Sequence, residues 1–255
     1  MKNIGIEELL RWAFTFELSK VDAGGGASFS AAWKMTEAVA ELGTVIDRTP
    51  NSYGVIPGFI EDGEPHPDAV LIGDAVRALD RHGFDIPDGW NPFPEFDDAH
   101  GLIAAEVESV VCELRLKGDR LAGRHIVSLV ISSAVLGRGP EWHMAPPEYQ
   151  LVTANGQPRW FRMKKGRDAF RRVYWLEVDG FDKKRRRPFP DAYRKYELVA
   201  PLRSDVLSRL DWQIWQNALL TLQTTLAGRL SAHRILPFRP FVQPWAKSRH
   251  AVETA

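Results

Sequence analysis

Leu151-Val-Thr-Ala-Asn-Gly-Gln-Pro-Arg-Trp-Phe-Arg-Met163 is where the chain changes its grammar. Strand-forming residues flank Asn155-Gly156, and that dipeptide accepts the positive φ angles that a two-residue hairpin turn requires. Val173-Tyr-Trp-Leu-Glu-Val178 and Tyr196-Glu-Leu-Val-Ala200 read as further strands. Upstream of Pro147 the apolar residues recur instead with a helical period. The fold expected is therefore α+β: a helical N-terminal half, then a mixed half with a small antiparallel sheet, a long amphipathic helix and an extended C-terminal arm.

Working upstream, Ile6, Leu9, Leu10, Ala13 and Phe14 form one helical face in a segment ending near Lys20. Gly24-Gly25-Gly26 breaks the pattern. Ser28 suits an N-cap for a helix carrying Phe29, Trp33, Thr36 and Ala40 and ending near Gly43, before a loop from Asp47 to Pro65. Pro67 fits the first turn of a helix that reaches about Arg81 and stops at Gly83. Phe84 to Phe96 is acidic and proline-rich. Its aromatics argue for a segment pinned to a surface rather than a free linker. Asp97 and Asp98 precede a helix with Leu102, Ile103, Val107, Val110, Val111 and Leu114 on its apolar face, where charge complements the helix dipole. Cys112, the one cysteine, is expected among that buried face. A lone thiol fits a reducing, cytoplasmic setting. After Gly118 a second apolar helix runs from about Leu121 to Leu136.

Downstream, Val206, Leu210, Ile214, Ala218, Leu222 and Leu226 repeat every four residues, the stripe of an amphipathic helix. Leu236-Pro-Phe-Arg-Pro-Phe-Val-Gln-Pro-Trp245 reads as an extended arm that docks Phe238, Phe241 and Trp245. Three regions follow, able to form one compact unit: residues 1–96, acidic and helical; 97–146, an apolar helix pair; and 147–255, basic and mixed.

The formal charge is zero, but it is split. Residues 1–110 carry 7 Lys and Arg against 20 Asp and Glu, and residues 111–255 carry 26 against 13. This points to a basic surface for a polyanion, or to an acidic half docking on a basic one. The densest cations are Arg162, Lys164, Lys165, Arg167, Arg171, Arg172 and the run Lys183, Lys184, Arg185, Arg186, Arg187. Trp160, Phe161, Phe170, Tyr174, Trp175, Phe181 and Phe189 are interleaved with them. Nucleic acid uses this pairing: cations displace condensed counterions from phosphates, and aromatic faces stack on bases. The candidate binding residues are Arg171, Arg172 and Lys183 to Arg187, with Trp160 or Tyr174 as stacking platforms. The plainer reading has the aromatics as the buried face of a sheet and the cations solvated or paired with the acidic half.

Other chemistry has less behind it. Asp168 with Asp182-Lys183-Lys184, near Glu177 and Asp179, matches loosely the acid…acid-x-lysine pattern of metal-dependent nucleases. Asp179 and Asp182 also suit a turn around Gly180. His66 lies among Glu61, Asp62, Glu64 and Asp68, and His100 follows Glu95, Asp97 and Asp98, without a zinc-type spacing. No serine-hydrolase elbow, phosphate loop or cofactor motif is present. A helix-turn-helix over 102–136 fails because its second helix is apolar nearly all round. The apolar window Ile126–Leu136 is too short for a membrane span, and the N-terminus has no secretion signal. No catalytic, metal or cofactor assignment follows.

Gly156-Gln-Pro-Arg-Trp-Phe-Arg162, Glu177-Val-Asp-Gly-Phe-Asp-Lys-Lys-Arg-Arg-Arg-Pro-Phe-Pro-Asp-Ala-Tyr-Arg-Lys195, the Trp212-to-Pro244 tail and Glu64-Pro-His-Pro-Asp-Ala69 resemble a group of uncharacterised alphaproteobacterial proteins often encoded in prophage-like regions. The resemblance spans most of the chain. It implies no activity, only a bacterial or phage setting and an accessory role on a mobile element. The functional expectation is a non-enzymatic nucleic-acid-associated protein, the alternative a structural adaptor with charge-complementary protein contacts or self-association.

Overall fold

In a computed structural model that describes residues 1–18 and 64–246, the helix with the stripe of four-residue repeats is the centre of the molecule. The helix α5 (Arg203–Leu226) buries Val206, Leu210, Ile214, Ala218, Leu222 and Leu226, all six of the repeated positions. Each of the Val, Leu and Ile side chains contributes about 2 kcal/mol of gross burial, and the Ala218 methyl less than half of that. Around it pack α1 (Ile6–Trp12, continued by a wider π-helical turn over Ala13–Glu17), α2 (Pro67–Ala78), α3 (Leu102–Lys117) and α4 (Gly123–Leu136). One hydrophobic core takes residues from Ile4 to Leu230 and draws on all three regions of the sequence. The helix expected to start at Ser28, the loop expected from Asp47 up to residue 63 and the run Gly24-Gly25-Gly26 lie outside the described residues.

The helix ends follow local chemistry. Pro67 is in the first turn of α2, and the His66 Nδ1 accepts from the Asp68 amide at 3.0 Å. The Asp98 carboxylate accepts from the amides of Ile103 (3.1 Å) and Ala104 (2.9 Å), occupying donors that the first turn of α3 leaves free. Gly118 ends α3 at φ 69°. A short 3-10 turn, Asp119–Leu121, then leads to α4, whose Gly123 passes so close to the end of α2 that a Cβ there would lie 2.2 Å from the Asp80 carbonyl oxygen.

The polar residues of α5 hold the irregular segments. Arg209 is 2% exposed. Its Nη1 donates to the Pro92 carbonyl (2.6 Å), its Nη2 pairs with Glu95 (2.5 Å), and its guanidinium lies over Phe93 and Trp245. Gln213 accepts from the Trp90 indole at 2.8 Å, and Gln216 accepts from the Phe241 amide at 2.8 Å. The 84–96 segment is thus pinned to α5, with Ile86 and Phe93 buried. The C-terminal arm docks through Trp245 and half-buried Phe238. The Phe241 ring, expected to dock, stays exposed while its backbone is held by Gln216 and by the Trp212 indole. Cys112 is also exposed, contrary to the expected buried position, because it falls outside the Val107, Val110, Leu114 stripe that faces the core.

The strands form five two-stranded pairs among the described residues. β1 (Lys2–Ile4) runs parallel to β10 (His233–Ile235) beside the helices. The four antiparallel pairs all lie in a β-excursion between α4 and α5. β2 (Tyr149–Leu151) meets β9 (Tyr196–Leu198) at its base, and β3 (Thr153–Ala154) and β4 (Gln157–Pro158) flank Asn155 and Gly156 at φ 53° and 77°. β5 (Phe161–Arg167) pairs with β6 (Val173–Asp179), and β7 (Phe181–Asp182) pairs with β8 (Arg187–Pro188). Of the residues in this excursion, Tyr149 and Leu198 at the base pack on the helical core.

Candidate nucleic-acid interface

The β5–β6 ribbon is anchored at one end only. Phe161 is buried and bridges Tyr193, and Gly180 crosses the Phe161 backbone so closely that a Cβ would sit 2.7 Å from it. Beyond this base the ribbon has no third strand among the described residues, and both of its faces are exposed from Met163 to Leu176 apart from half-buried Gly166. Phe170 is 81% exposed, Trp175 63% and Tyr174 46%. A sheet with one buried face would hide alternate residues. This ribbon hides neither set, so the plainer reading of its aromatics as core does not hold for these three.

The cations on it meet no described carboxylate, and the Arg172 guanidinium lies over the Phe170 ring, 6.0 Å from its centre. Lys164, Lys165, Arg167, Arg171 and Arg172 are exposed and form no ion pair with a described carboxylate, whereas the ribbon's own acids are already engaged. Glu177 accepts from Tyr193 (2.5 Å) and Lys195 (2.7 Å), which hold its carboxyl below the ordinary value, Lys195 contributing most. The Asp179 carboxylate accepts from the Phe181 amide at 3.0 Å. Asp168 accepts from the amides of Phe170 (2.9 Å) and Arg172 (2.7 Å), a side chain closing the turn around Arg171, which sits at φ 61°.

The second basic cluster is the loop between β7 and β8. Lys183, Lys184, Arg185, Arg186 and Arg187 are all exposed, and Asp182 accepts from the Lys184 (2.9 Å) and Arg185 (3.1 Å) amides to fix the turn. Among the described residues only Arg185 of these five reaches a carboxylate, Asp182 at 4.0 Å. Arg171 and Arg172 lie at the turn of the ribbon, about 23 Å of β6 at roughly 3.3 Å per residue from its anchored base, and the β7–β8 loop follows that base. The candidate cations therefore occupy two ends of one strip rather than a single patch.

Trp160, expected as a stacking platform, is half-buried with the Arg194 guanidinium 4.5 Å from its ring centre. Tyr174 lies across Gly166 of the opposite strand, where a Cβ would meet its ring at 2.7 Å. Trp175 and Phe170 are the most exposed aromatic rings of the ribbon; sequence reasoning places both among the aromatics interleaved with the cations but names Trp160 and Tyr174 as the platforms. Alternation alone cannot say that a strand has no buried face.

The acidic half pairs instead with residues of α3, α5 and β10. Arg115 meets Asp88 (3.1 Å), Arg209 meets Glu95, and His233 meets Asp68 (2.9 Å). Asp68 is fully buried beneath β10. Its carboxylate accepts from the Ser231 amide and hydroxyl (both 2.8 Å), the Ala232 amide (3.0 Å), the His233 amide (3.2 Å) and the His233 Nδ1. Burial pushes this carboxyl up, but the bonds from Ser231, His233 and Ala232 outweigh it and hold it well below the usual range. With five donors on it, Asp68 acts as a structural anchor. His66 packs edge-on against Trp12 and His233, and His100 stacks on Tyr196 at 4.1 Å. No three His, Cys, Asp or Glu converge among the described residues, and the carboxylates of Asp168, Asp179 and Asp182 are occupied by backbone amides. No described helix is long and apolar enough to cross a membrane.

No protein-family model, curated protein or solved structure matches this chain, so its functional reading rests on this geometry.

Proposed function

We propose that the protein is a non-enzymatic nucleic-acid-binding accessory protein whose contacts are the β5–β6 ribbon and the β7–β8 loop. One observation carries the reading: a ribbon exposed on both faces presents cations without a described carboxylate partner beside exposed Trp175, Tyr174 and Phe170. Cations without carboxylate partners remain free to replace counterions on phosphates, and the rings supply stacking surface. The accessory role on a mobile element that the sequence resemblance implies is compatible with a binder lacking chemistry of its own.

The test is a binding titration across salt concentrations. Each phosphate contact contributes about −0.9 to the slope of log K against log salt on duplex DNA. Changing Arg185, Arg186 and Arg187 together to glutamine should make the slope shallower by about 2.7. An unchanged slope removes the loop from the interface.

A second reading draws on the exposed aliphatic side chains of the ribbon, Met163, Val173 and Leu176, which suit a protein partner better than phosphate. It predicts no binding to nucleic acid at low salt, and an oligomeric state or pull-down partner that depends on these three residues.

A further inference from the structure

Directly opposed residues of an antiparallel pair share a face. On the outer half of the ribbon, Lys165 opposes Trp175 and Arg167 opposes Val173, while Lys164 opposes Leu176 and Gly166 opposes Tyr174 on the other side. Each face thus carries cation and apolar surface together. Each strand is seven residues long, about 23 Å of reach at roughly 3.3 Å per residue.

The tip is built rigidly. Asp168 takes the Phe170 and Arg172 amides on one carboxylate oxygen, donates its own amide to the Arg172 carbonyl at 3.0 Å, and receives the Arg171 amide on its carbonyl at 3.0 Å. Every link of that loop is closed by Asp168. What it holds out at the far end is Phe170, the most exposed aromatic ring of the ribbon, with Arg167 on one side and Arg171 and Arg172 on the other. A stacking platform for single strands needs rings spread along a groove. The most exposed ring, held at the extremity of a cationic two-stranded ribbon with the Arg172 guanidinium 6.0 Å from its centre, suits another task. In minor-groove binders cationic side chains line the groove while an apolar wedge enters between base pairs.

Resting on the nucleic-acid reading above, we infer that the β5–β6 ribbon enters the minor groove of duplex DNA and that Phe170 acts as a wedge between base pairs, kinking the duplex. Arg167, Arg171 and Arg172 hold the groove walls, and Asp168 keeps the wedge in place. Trp175 and Val173 lie back along the ribbon and face the sugar edges. Flexible pyrimidine–purine steps such as TA are the preferred points of entry, since they unstack at the least cost.

The experiment uses the full chain and a duplex of about 30 base pairs, short against the roughly 150-base-pair persistence length, with a central TA step. It carries donor and acceptor dyes on its ends and 2-aminopurine beside the step. The native protein should raise the energy transfer and the 2-aminopurine emission together. Phe170→Ala should abolish both signals and leave the salt slope intact, because the phosphate contacts remain. Arg167→Gln with Arg171→Gln should instead weaken binding and lower the slope by about 1.8. Phe170 lies outside the core, so an unchanged melting temperature shows that the variant is folded. Binding without bending, bending that survives Phe170→Ala, or a tenfold preference for single strands overturns the wedge and leaves the broader reading standing. No binding to any nucleic acid overturns both.

Discussion

Replacing Asp68 with alanine should cost more stability than any single truncation on the protein surface. The carboxylate is fully buried and accepts from three successive backbone amides, Ser231 to His233, together with the Ser231 hydroxyl and His233 Nδ1. A hydrogen bond to a charged group contributes about 1.5–3 kcal/mol, but five on one acceptor are not additive. Removing one side of a buried charge-centred cluster costs about 3–5 kcal/mol, because the remaining donors stay buried without a partner. We expect about 4 kcal/mol for Asp68→Ala on that basis, a large part of the roughly 5–15 kcal/mol by which a folded domain is stable. Asp68→Asn keeps the shape, yet turns an NH2 group toward donors, so it should recover little. The assay is urea unfolding followed by tryptophan fluorescence. The pH dependence adds a second readout. The folded carboxyl lies below its ordinary value, so the unfolded chain binds the extra proton first. The contribution of Asp68 is complete above its unfolded value of about 3.9 and is lost as pH falls through the folded one, so the gap between native protein and Asp68→Asn should narrow below about pH 4. A loss under about 1 kcal/mol at neutral pH would refute the reasoning, since it would mean that the five donors find water or other acceptors at little cost.

Two further perturbations probe the packing around α5. Gly123→Ala places a Cβ 2.2 Å from the Asp80 carbonyl oxygen and 2.6 Å from that of His82, both backbone atoms with no room to yield. The variant should lose about 3 kcal/mol in the same unfolding assay, and a change below about 0.5 kcal/mol would contradict the close approach. Glu113 on α3 is held down to about 2 by hydrogen bonds from Arg203 first and Lys117 second. Arg203→Ala should let it rise toward the ordinary glutamate value of about 4.3 in a carbon-detected NMR titration, and an unmoved value would show that Arg203 does not engage it in solution.

Much of the helical architecture is legible in the residues themselves. The four-residue repeat from Val206 to Leu226 marks the buried face of α5, because side chains four apart lie one above the other on a helix. Asn155-Gly156 is a turn for a reason carried by those two residues alone, and Gly118 ends α3 in the left-handed conformation that glycine adopts without strain. Other features depend on partners far along the chain. Lys2-Asn-Ile4 has no strand signal, and it pairs because His233 to Ile235 lie beside it. Arg209 looks like a solvated charge until Pro92, Glu95 and Trp245 close over it. Cys112 illustrates the limit of reading neighbours: it follows Val110 and Val111, yet a turn of 100° per residue carries it to the solvent side. In the candidate interface, the cations and their turn aspartates are visible as residue types. The exposure of Trp175 is not, because a strand with one buried face and a ribbon with none can share the same alternation.

The pairing of Lys2–Ile4 with His233–Ile235 sets a timetable for folding. At roughly 5–20 residues per second, a ribosome takes about 12–46 s to make the stretch that separates the two strands. Throughout that time the first strand and the face of α1 that α5 will cover have no partner, and Asp68 likewise waits for Ser231. Contacts of such long sequence separation form late and slowly. The helical body therefore closes only after synthesis has passed β10, whereas every strand pairing within the β5–β6 ribbon joins residues made before α5. The segment proposed to meet the ligand thus has its pairing partners at hand early in synthesis, while the scaffold that carries it waits for the last described strand.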